Sequence, residues 1–316
     1  MTEPIAERVT LGSTGIDISP LGIGTWAWGD VVMWGYGKSY TDTDVRAAFD
    51  ATVAAGINFF DTAEVYGLGR SERLLGQFIR ESGHTIVTAT KFMPFPFRLS
   101  KNTLRRALRN SLKRLGMAQT DLYQMHFPFP PIAVETWMDA MAEAVEGGVV
   151  RAVGVSNYDV AQMGRAHNAL AKRGIPLASN QVFYSLLHRD PEFDGVAQLC
   201  KDLNVTLIAY SPLEKGILTG KYTPDNPPPG LRRRIYNREY LKKVQPLLEI
   251  MHNFGEAHGE KSPAQVALNW TICKGAVPIP GAKNARQAVA NAGALGWRLT
   301  DDEVAALDEL SLRVIA

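Results

Sequence analysis

The chain holds only two cysteines in 316 residues, Cys200 and Cys273, with no second Cys or His at ligand spacing. That speaks against a disulfide framework or a zinc site and favours a reducing compartment. Charge of one sign is scarce too. The 34 basic and 32 acidic side chains leave +2, too little to draw the chain to nucleic acid or an anionic membrane. No apolar run reaches the roughly 18–20 residues needed to span a bilayer. The opening MTEPIAERVT lacks the basic and apolar stretches of a secretory signal. Nor does any linker divide the chain, so residues 1–316 are expected to form one domain. These absences leave a cytoplasmic protein as the expectation, with neither nucleic acid nor membrane as partner.

What is present is a regular alternation. Short β-rich runs fall at 21–26, 58–61, 85–91, 121–126, 150–156, 178–184, 205–210 and 276–280. Several are almost wholly apolar, as strands covered on both faces must be. Amphipathic helices lie between them. Val45, Ala48, Phe49, Thr52 and Val53 make one apolar face, Leu104, Ala107, Leu108, Leu112 and Leu115 a second, and Val134, Trp137, Met138, Met141 and Val145 a third. Ser262-Pro263 and Thr300 with Glu303 read as helix starts. Eight such units predict an α/β fold of the (β/α)8 TIM-barrel type. RVTLG and IDIS should form an N-terminal hairpin at the barrel bottom. YTPDNPPPGLRRR (222–234) reads as an insertion after strand seven, and the last helix is extra. A doubly wound sheet is the alternative, but Gly22, Gly24 and Gly29 do not give the dinucleotide fingerprint.

A barrel gathers its strand C-termini on one face, where sites are built. Asp61 ends strand two with Tyr66 just beyond, Lys91 ends strand three and His126 ends strand four. A buried lysine needs a partner, and Asp61 is one strand away. Lys91 beside Tyr66 should lower the phenol's pKa and make it a general acid near neutral pH. His126 can hydrogen-bond the same carbonyl oxygen. Such a site suits carbonyl reduction or alcohol oxidation, and the sequence shows no metal pattern for it. Singly, each residue has a plain structural reading, a core histidine, an ion pair or a wall tyrosine. Their company on one rim favours catalysis.

With the tetrad Asp61, Tyr66, Lys91 and His126 on the page, the chain resembles the aldo-keto reductases over essentially its whole length. GVSN (154–157), the Gln181 strand, AYSPLEKGILTGKY (209–222) and PIPGAKN (278–284) match that family's cofactor segments in order. The resemblance implies NADP(H) lying across the barrel mouth and a small carbonyl substrate. Ser156, Asn157 and Gln181 would bind the carboxamide, and Tyr210 would stack on the nicotinamide. Ser211, Pro212, Leu213 and Gly216 would meet the pyrophosphate, and Thr25 and Trp26 would line the cofactor site. Pro280, Gly281, Lys283, Arg286, Gln287 and Asn291 would hold the adenosine end. Lys283 and Arg286 just after a glycine turn suit a 2′-phosphate, although a solvated helix start explains them too. Lys221 and Arg232 would assist, with Arg232, Arg233 and Arg234 either clamping phosphates or forming a solvated basic loop.

Trp26, Trp34, Tyr36, Phe92, Phe95, Phe97, Phe127 and Phe129 cluster in rim loops. They point to an apolar or aromatic substrate where core packing does not claim them. Other functions stay open. Related potassium-channel β subunits imply a regulatory or redox-sensing role with slow turnover, and a barrel lysine can also serve a Schiff-base aldolase. Oligomeric state is not readable from the sequence.

Overall fold

The apolar runs become strands too short and too uniformly buried to stand in an open sheet. In the computed structural model, which describes residues 7–230 and 232–315, β1 (Val9–Thr10) and β2 (Asp17–Ile18) pair as an antiparallel hairpin. Eight parallel strands follow in sequence order: β3 (Ile23–Gly24), β4 (Phe59–Asp61), β5 (Val87–Phe92), β6 (Thr120–Met125), β7 (Val150–Ser156), β8 (Leu177–Phe183), β9 (Thr206–Tyr210) and β10 (Val277–Ile279). The sheet curls until its edges meet. Gly22 N donates to Pro278 O (3.0 Å), Gly24 N donates to Pro280 O (3.1 Å), and Gly24 bridges Gly281. The result is a near-closed (β/α)8 barrel.

Helices α1 (Asp42–Ala54), α2 (Arg70–Ser82), α3 (Lys101–Leu115), α4 (Val134–Glu146) and α5 (Val160–Ala171) cover the outside, followed by α6 (Asp190–Phe193) and α7 (Val196–Asp202). Each buries the stripe its spacing implies. On α3 these residues are Leu104, Ala107, Leu108, Ser111 and Leu115, and Gly116 in the left-handed region ends the helix. Between β9 and β10 the chain forms α8 (Arg232–Ile235), α9 (Arg238–Ala257) and α10 (Pro263–Cys273). The 20-residue α9 packs on α10 and on the last helix; of the segment read as a loop, 222–234, only Arg232, Arg233 and Arg234 fall in a helix, α8. Ser262 caps α10 in a capping box with Gln265. After α11 (Ala285–Ala292), α12 (Asp301–Ile315) closes the chain, with the Thr300–Glu303 reciprocal bonds in place.

The lower barrel interior is dry. Phe59, Val87, Ala89, Leu122, Ala152, Ala178, Ile208, Val277 and Ile279 meet Leu11, Ile16 and Ile18 from the hairpin, which plugs the bottom. Each large side chain there contributes roughly 1.5–3 kcal/mol by leaving water. The next layer up is polar and crowded. A Cβ on Gly154 would lie 2.3 Å from Ser179 Oγ and 3.1 Å from Gln124 Cγ, so glycine on β7 is what lets Gln124 reach the barrel axis.

Candidate active site

Period-two alternation turns Phe59 and then Asp61 inward, and likewise Val87, Ala89 and Lys91. Apolar bottom and charged top thus come from the same strands. Asp61, Lys91 and Gln124 are fully buried, and the carboxylate is satisfied on both oxygens. Oδ1 accepts from Gln124 Nε2 (3.0 Å) and Gln181 Nε2 (2.8 Å), while Oδ2 takes a close ion pair from Lys91 Nζ. Lys91 Nζ also donates to Thr62 O (2.8 Å) and, at 3.5 Å, to Tyr66 Oη. The ammonium's three hydrogens are thereby assigned, and the phenol keeps its own proton for a further partner. Tyr66 stands at the start of a 3₁₀ turn, Tyr66–Gly69, that leads into α2. Its ring meets the His126 ring edge-on, with centroids 5.9 Å apart at 80°. The four predicted catalytic residues therefore converge.

The charge states correct one expectation. Burial, with Asp61 adding to it, pushes the Tyr66 pKa well above its usual value. The lowering expected from Lys91, which is held in a close ion pair with Asp61, does not overcome that rise. Burial draws Lys91 itself down, and Asp61 opposes that shift. His126 is pushed down to about 3 by burial and then by the Lys91 charge, so its ring is neutral at physiological pH. Among the described residues its Nδ1 is buried without a hydrogen-bond partner, and a neutral imidazole still has one N–H to donate. The centre is thus a protonated phenol and a neutral hydrogen-bond donor above an internally balanced ion pair.

The residues expected to take the carboxamide already form a chain of hydrogen bonds. Ser156 Oγ donates to Gln181 O (2.7 Å). Asn157 Nδ2 donates to His126 O (3.1 Å) and Ser156 Oγ (3.0 Å), and Asn157 Oδ1 accepts from Tyr210 Oη (3.0 Å). Tyr210 stacks on Phe183 with centroids 5.4 Å apart, and Phe183 on His188 at 4.0 Å. Thr25 is fully buried, its hydroxyl donating to Asp61 O (2.9 Å) and 2.7 Å from Ser71 Oγ. Trp26, by contrast, stands 6.3 Å from the Tyr66 ring.

Loop 211–219, which holds Pro212 and Leu213, crosses beside Tyr210 in an unusual backbone conformation. Ser211 (φ 52°), Glu214 (φ 47°), Lys215 (φ 52°) and Gly216 (φ 97°) are all left-handed, a strain that clusters at functional sites. Glu214, unnoticed in the sequence, anchors it. This buried carboxylate accepts from Tyr236 Oη (2.5 Å) and Ser185 Oγ (3.3 Å), and burial pushes its pKa up.

Lys283, Lys221 and Arg232 gather around Trp34 and Tyr222. Lys283 Nζ lies 4.6 Å from the Trp34 ring centroid and donates to Trp34 O (3.3 Å), Arg232 lies 5.9 Å from the same ring, and Lys221 lies 4.7 Å from the Tyr222 ring. Burial and then the charges of Lys221 and Arg232 draw the Lys283 pKa down to about 8. Among the described residues none of the three cations has a carboxylate within salt-bridge reach. Arg286 is not with them; it is exposed on α11, as are Arg233 and Arg234 on α8. Lys283 precedes the cap of α11 rather than lying in its first turn. Asn284 is the cap, accepting from Gln287 N (3.0 Å). Gln287 Oε1 accepts from Lys283 N (2.8 Å), and Asn291 Nδ2 donates to Gly281 O (3.3 Å), so both residues shape the Pro280–Gly281 turn.

Of the rim aromatics, Phe92 and Tyr36 are core. Phe95 stacks on Phe97 (5.3 Å, 9°) and Phe127 on Phe129 (4.8 Å, 3°), and Phe97 and Phe129 are exposed. Gln124 and Glu64 escaped the sequence reading. Gln124 was within its reach, since it lies two residues before His126 in the run 121–126. Among the described residues no cluster of His, Cys, Asp and Glu is placed to hold a metal ion, and no helix is long and apolar enough to cross a membrane.

Comparison with known proteins places this geometry in context. The model of the aldo/keto reductase family matches residues 20–312. A chloroplastic pyridoxal reductase from Arabidopsis thaliana is 43% identical over 310 residues, covering 94% of this chain and 84% of its own length. The aldo-keto reductase YhdN from Bacillus subtilis is 32% identical over 320 residues, covering 94% and 91%. Among solved structures, a glycerol dehydrogenase from Gluconobacter oxydans superposes with a TM-score of 0.86 at 27% identity, over 98% of this chain and 96% of that one. An aldo-keto reductase from Klebsiella pneumoniae, in complex with NADPH, gives 0.75 at 28% identity over 98% and 95%.

Proposed function

The chain belongs to the aldo/keto reductase family, and from that premise we propose that it reduces a small aldehyde or ketone to the alcohol, with NADPH as reductant and Tyr66 as proton donor. The observation that carries the proposal is the division of the Lys91 hydrogens among Asp61, Thr62 O and Tyr66 Oη. It holds the phenol oxygen as an acceptor toward the lysine and frees the phenol proton for a substrate oxygen. His126, neutral, offers that oxygen a second hydrogen bond. As negative charge grows on the oxygen, two donors stabilise it in a site shielded from water. Asp61, Gln124 and Gln181 keep Lys91 in place throughout.

NADPH supplies the hydride when bound. The mouth residues fit it. Lys221, Arg232 and Lys283 form a knot of positive charge with no carboxylate within salt-bridge reach among the described residues, as suits a phosphate site, and the pyrophosphate would lie on the strained loop of Ser211, Pro212, Leu213 and Gly216. Tyr210 would wall the nicotinamide, and Asn157, Ser156 and Gln181 would bind its carboxamide. Gly281, Gln287 and Asn291 would shape the adenosine end, with Arg286 at its solvent edge. The stacked phenylalanines of the rim favour a planar, ring-bearing carbonyl. Since the Arabidopsis relative is named a pyridoxal reductase, pyridoxal heads the test panel with benzaldehydes and small aliphatic aldehydes. Oxidation of NADPH, followed at the nicotinamide absorbance, should be fastest with the ring-bearing aldehydes. Failure of every carbonyl to consume NADPH would overturn the reading.

A further inference from the structure

Glu64 stands between Asp61 and Tyr66, yet the catalytic centre does not use it. Its side chain, only 8% exposed, turns toward the loop after β5. One carboxylate oxygen accepts from Met93 N (2.8 Å) and, in a close contact, from Arg98 Nη1; the other accepts from Arg98 Nη2 (3.1 Å). Arg98 Nη1 also donates to Met93 O (2.9 Å). The guanidinium lies 4.9 Å from the Phe92 ring centroid and 5.3 Å from that of Phe95. The loop is therefore wound around one arginine fork, and Glu64 holds the fork from the Tyr66 turn. Among the described residues, Glu64 is the one side chain outside 92–98 that hydrogen-bonds residues 93–98. The segment's own backbone bonds, Phe95 N to Met93 O (2.9 Å) and Arg98 N to Phe95 O (2.8 Å), are local turns.

This loop carries Phe95 and Phe97, a stacked ring pair whose outer member is 74% exposed. We infer that Glu64 and Arg98 are a positioning pair that fixes this aromatic surface relative to the Tyr66 hydroxyl, and so set the preference for ring-bearing over small aliphatic carbonyls. The inference rests on the carbonyl-reductase reading of the site. A charge-assisted bidentate pair supplies both the energy and the direction that a lone ring stack lacks. A small aldehyde can sit between Tyr66 and His126 without touching the loop, whereas an aromatic one draws binding energy from it.

The test compares Arg98→Met, which keeps the stem over Phe92, with Glu64→Gln and with Arg98→Lys, which retains charge but not the fork. For benzaldehyde, kcat/KM should fall about ten- to a hundredfold in Arg98→Met and Glu64→Gln, mostly through KM. For propanal it should change by less than about threefold, and the NADPH dissociation constant and the pH profile should stay as in the wild type. Arg98→Lys should recover part of the benzaldehyde loss. Hydrogen exchange of the 92–98 peptide should accelerate in Arg98→Met while that of the lower strands does not. Equal losses for both aldehydes would overturn the inference by making the pair merely structural, and an unchanged KM for benzaldehyde would overturn it as well. If the wild type turned over no carbonyl at all, the functional reading would fall. Unaltered exchange at 92–98 would then separately refute the clamp.

Discussion

The barrel mouth has two halves built by different means. The half proposed to deliver the proton sits on strand ends, with Asp61, Lys91 and Gln124 buried and bonded through Asp61, and His126 buried against the Tyr66 ring. The half proposed to bind the cofactor's phosphates sits on loops and the short α8, with Lys221 exposed and Arg232 and Lys283 partly buried, held over aromatic faces and repelling one another. In the first half an ion pair balances the charge; in the second no carboxylate among the described residues lies within salt-bridge reach. Under the proposed function, the group that holds the geometry of a proton keeps its own counter-ion, while the group that binds and releases an anion leaves its cations free of one.

The division can be tested by breaking each half separately. Tyr66→Phe should have the largest effect, lowering kcat/KM for carbonyl reduction by about 10²–10⁴-fold with the NADPH dissociation constant unmoved; retention of more than about a tenth of the activity would sink the assignment. Lys91→Met should come next. It strands Asp61 as a buried, unpaired carboxylate, so it should cost both activity and roughly 3–5 kcal/mol of stability, read from denaturant unfolding. A stable, active Lys91→Met protein would mean that the ion pair is dispensable.

In the other half, Lys283→Ala should weaken NADPH about tenfold and NADH hardly at all, by fluorescence titration. The pH dependence should divide along the same line. Reduction needs the protonated phenol, which is present below the Tyr66 pKa and lost above it. That pKa is raised and His126 stays neutral down to about 3, so kcat for reduction at saturating NADPH should stay level from about pH 5 to 9. Lys283 holds its proton below about 8, so free enzyme near that pH should take up a proton on binding NADPH, and affinity should decline as pH rises beyond it. A proton count of zero by calorimetry in two buffers would remove Lys283 from the phosphate site. Arg286→Ala should have the smallest effect, within about threefold for either cofactor, as expected of an exposed cation without a fixed partner.

The same line separates what was legible in the sequence from what was not. Eight strands, the hairpin, the tetrad and the caps at Ser262 and Thr300 follow from periodicity and local chemistry. A side chain at a strand end has its direction dictated by its neighbours two residues away. Loop residues have no such rule. Spacing after a glycine turn suggested Arg286, which is exposed on α11; Lys221 and Arg232 were named only through the family resemblance, and it is the fold that brings them to Lys283. The Tyr66 pKa was misjudged because sequence shows which charges are near but not how deeply the phenol is buried, and burial is the larger cause of its rise, with Asp61 adding to it. Glu64 and Glu214 were invisible because a buried carboxylate is recognised only by its donors.

The hairpin plug has a consequence for proton supply. Below the Lys91 layer the barrel is filled with Phe59, Leu122, Ile208 and Ile279 and stoppered by Leu11, Ile16 and Ile18. At its base Thr206 accepts from Gly12 N (2.7 Å) and Thr120 donates to Thr88 O (3.0 Å), so these polar groups are spent on holding the plug and the strands. Under the proposed chemistry, the apolar side chains above them make the open mouth the expected route by which Tyr66 regains its proton.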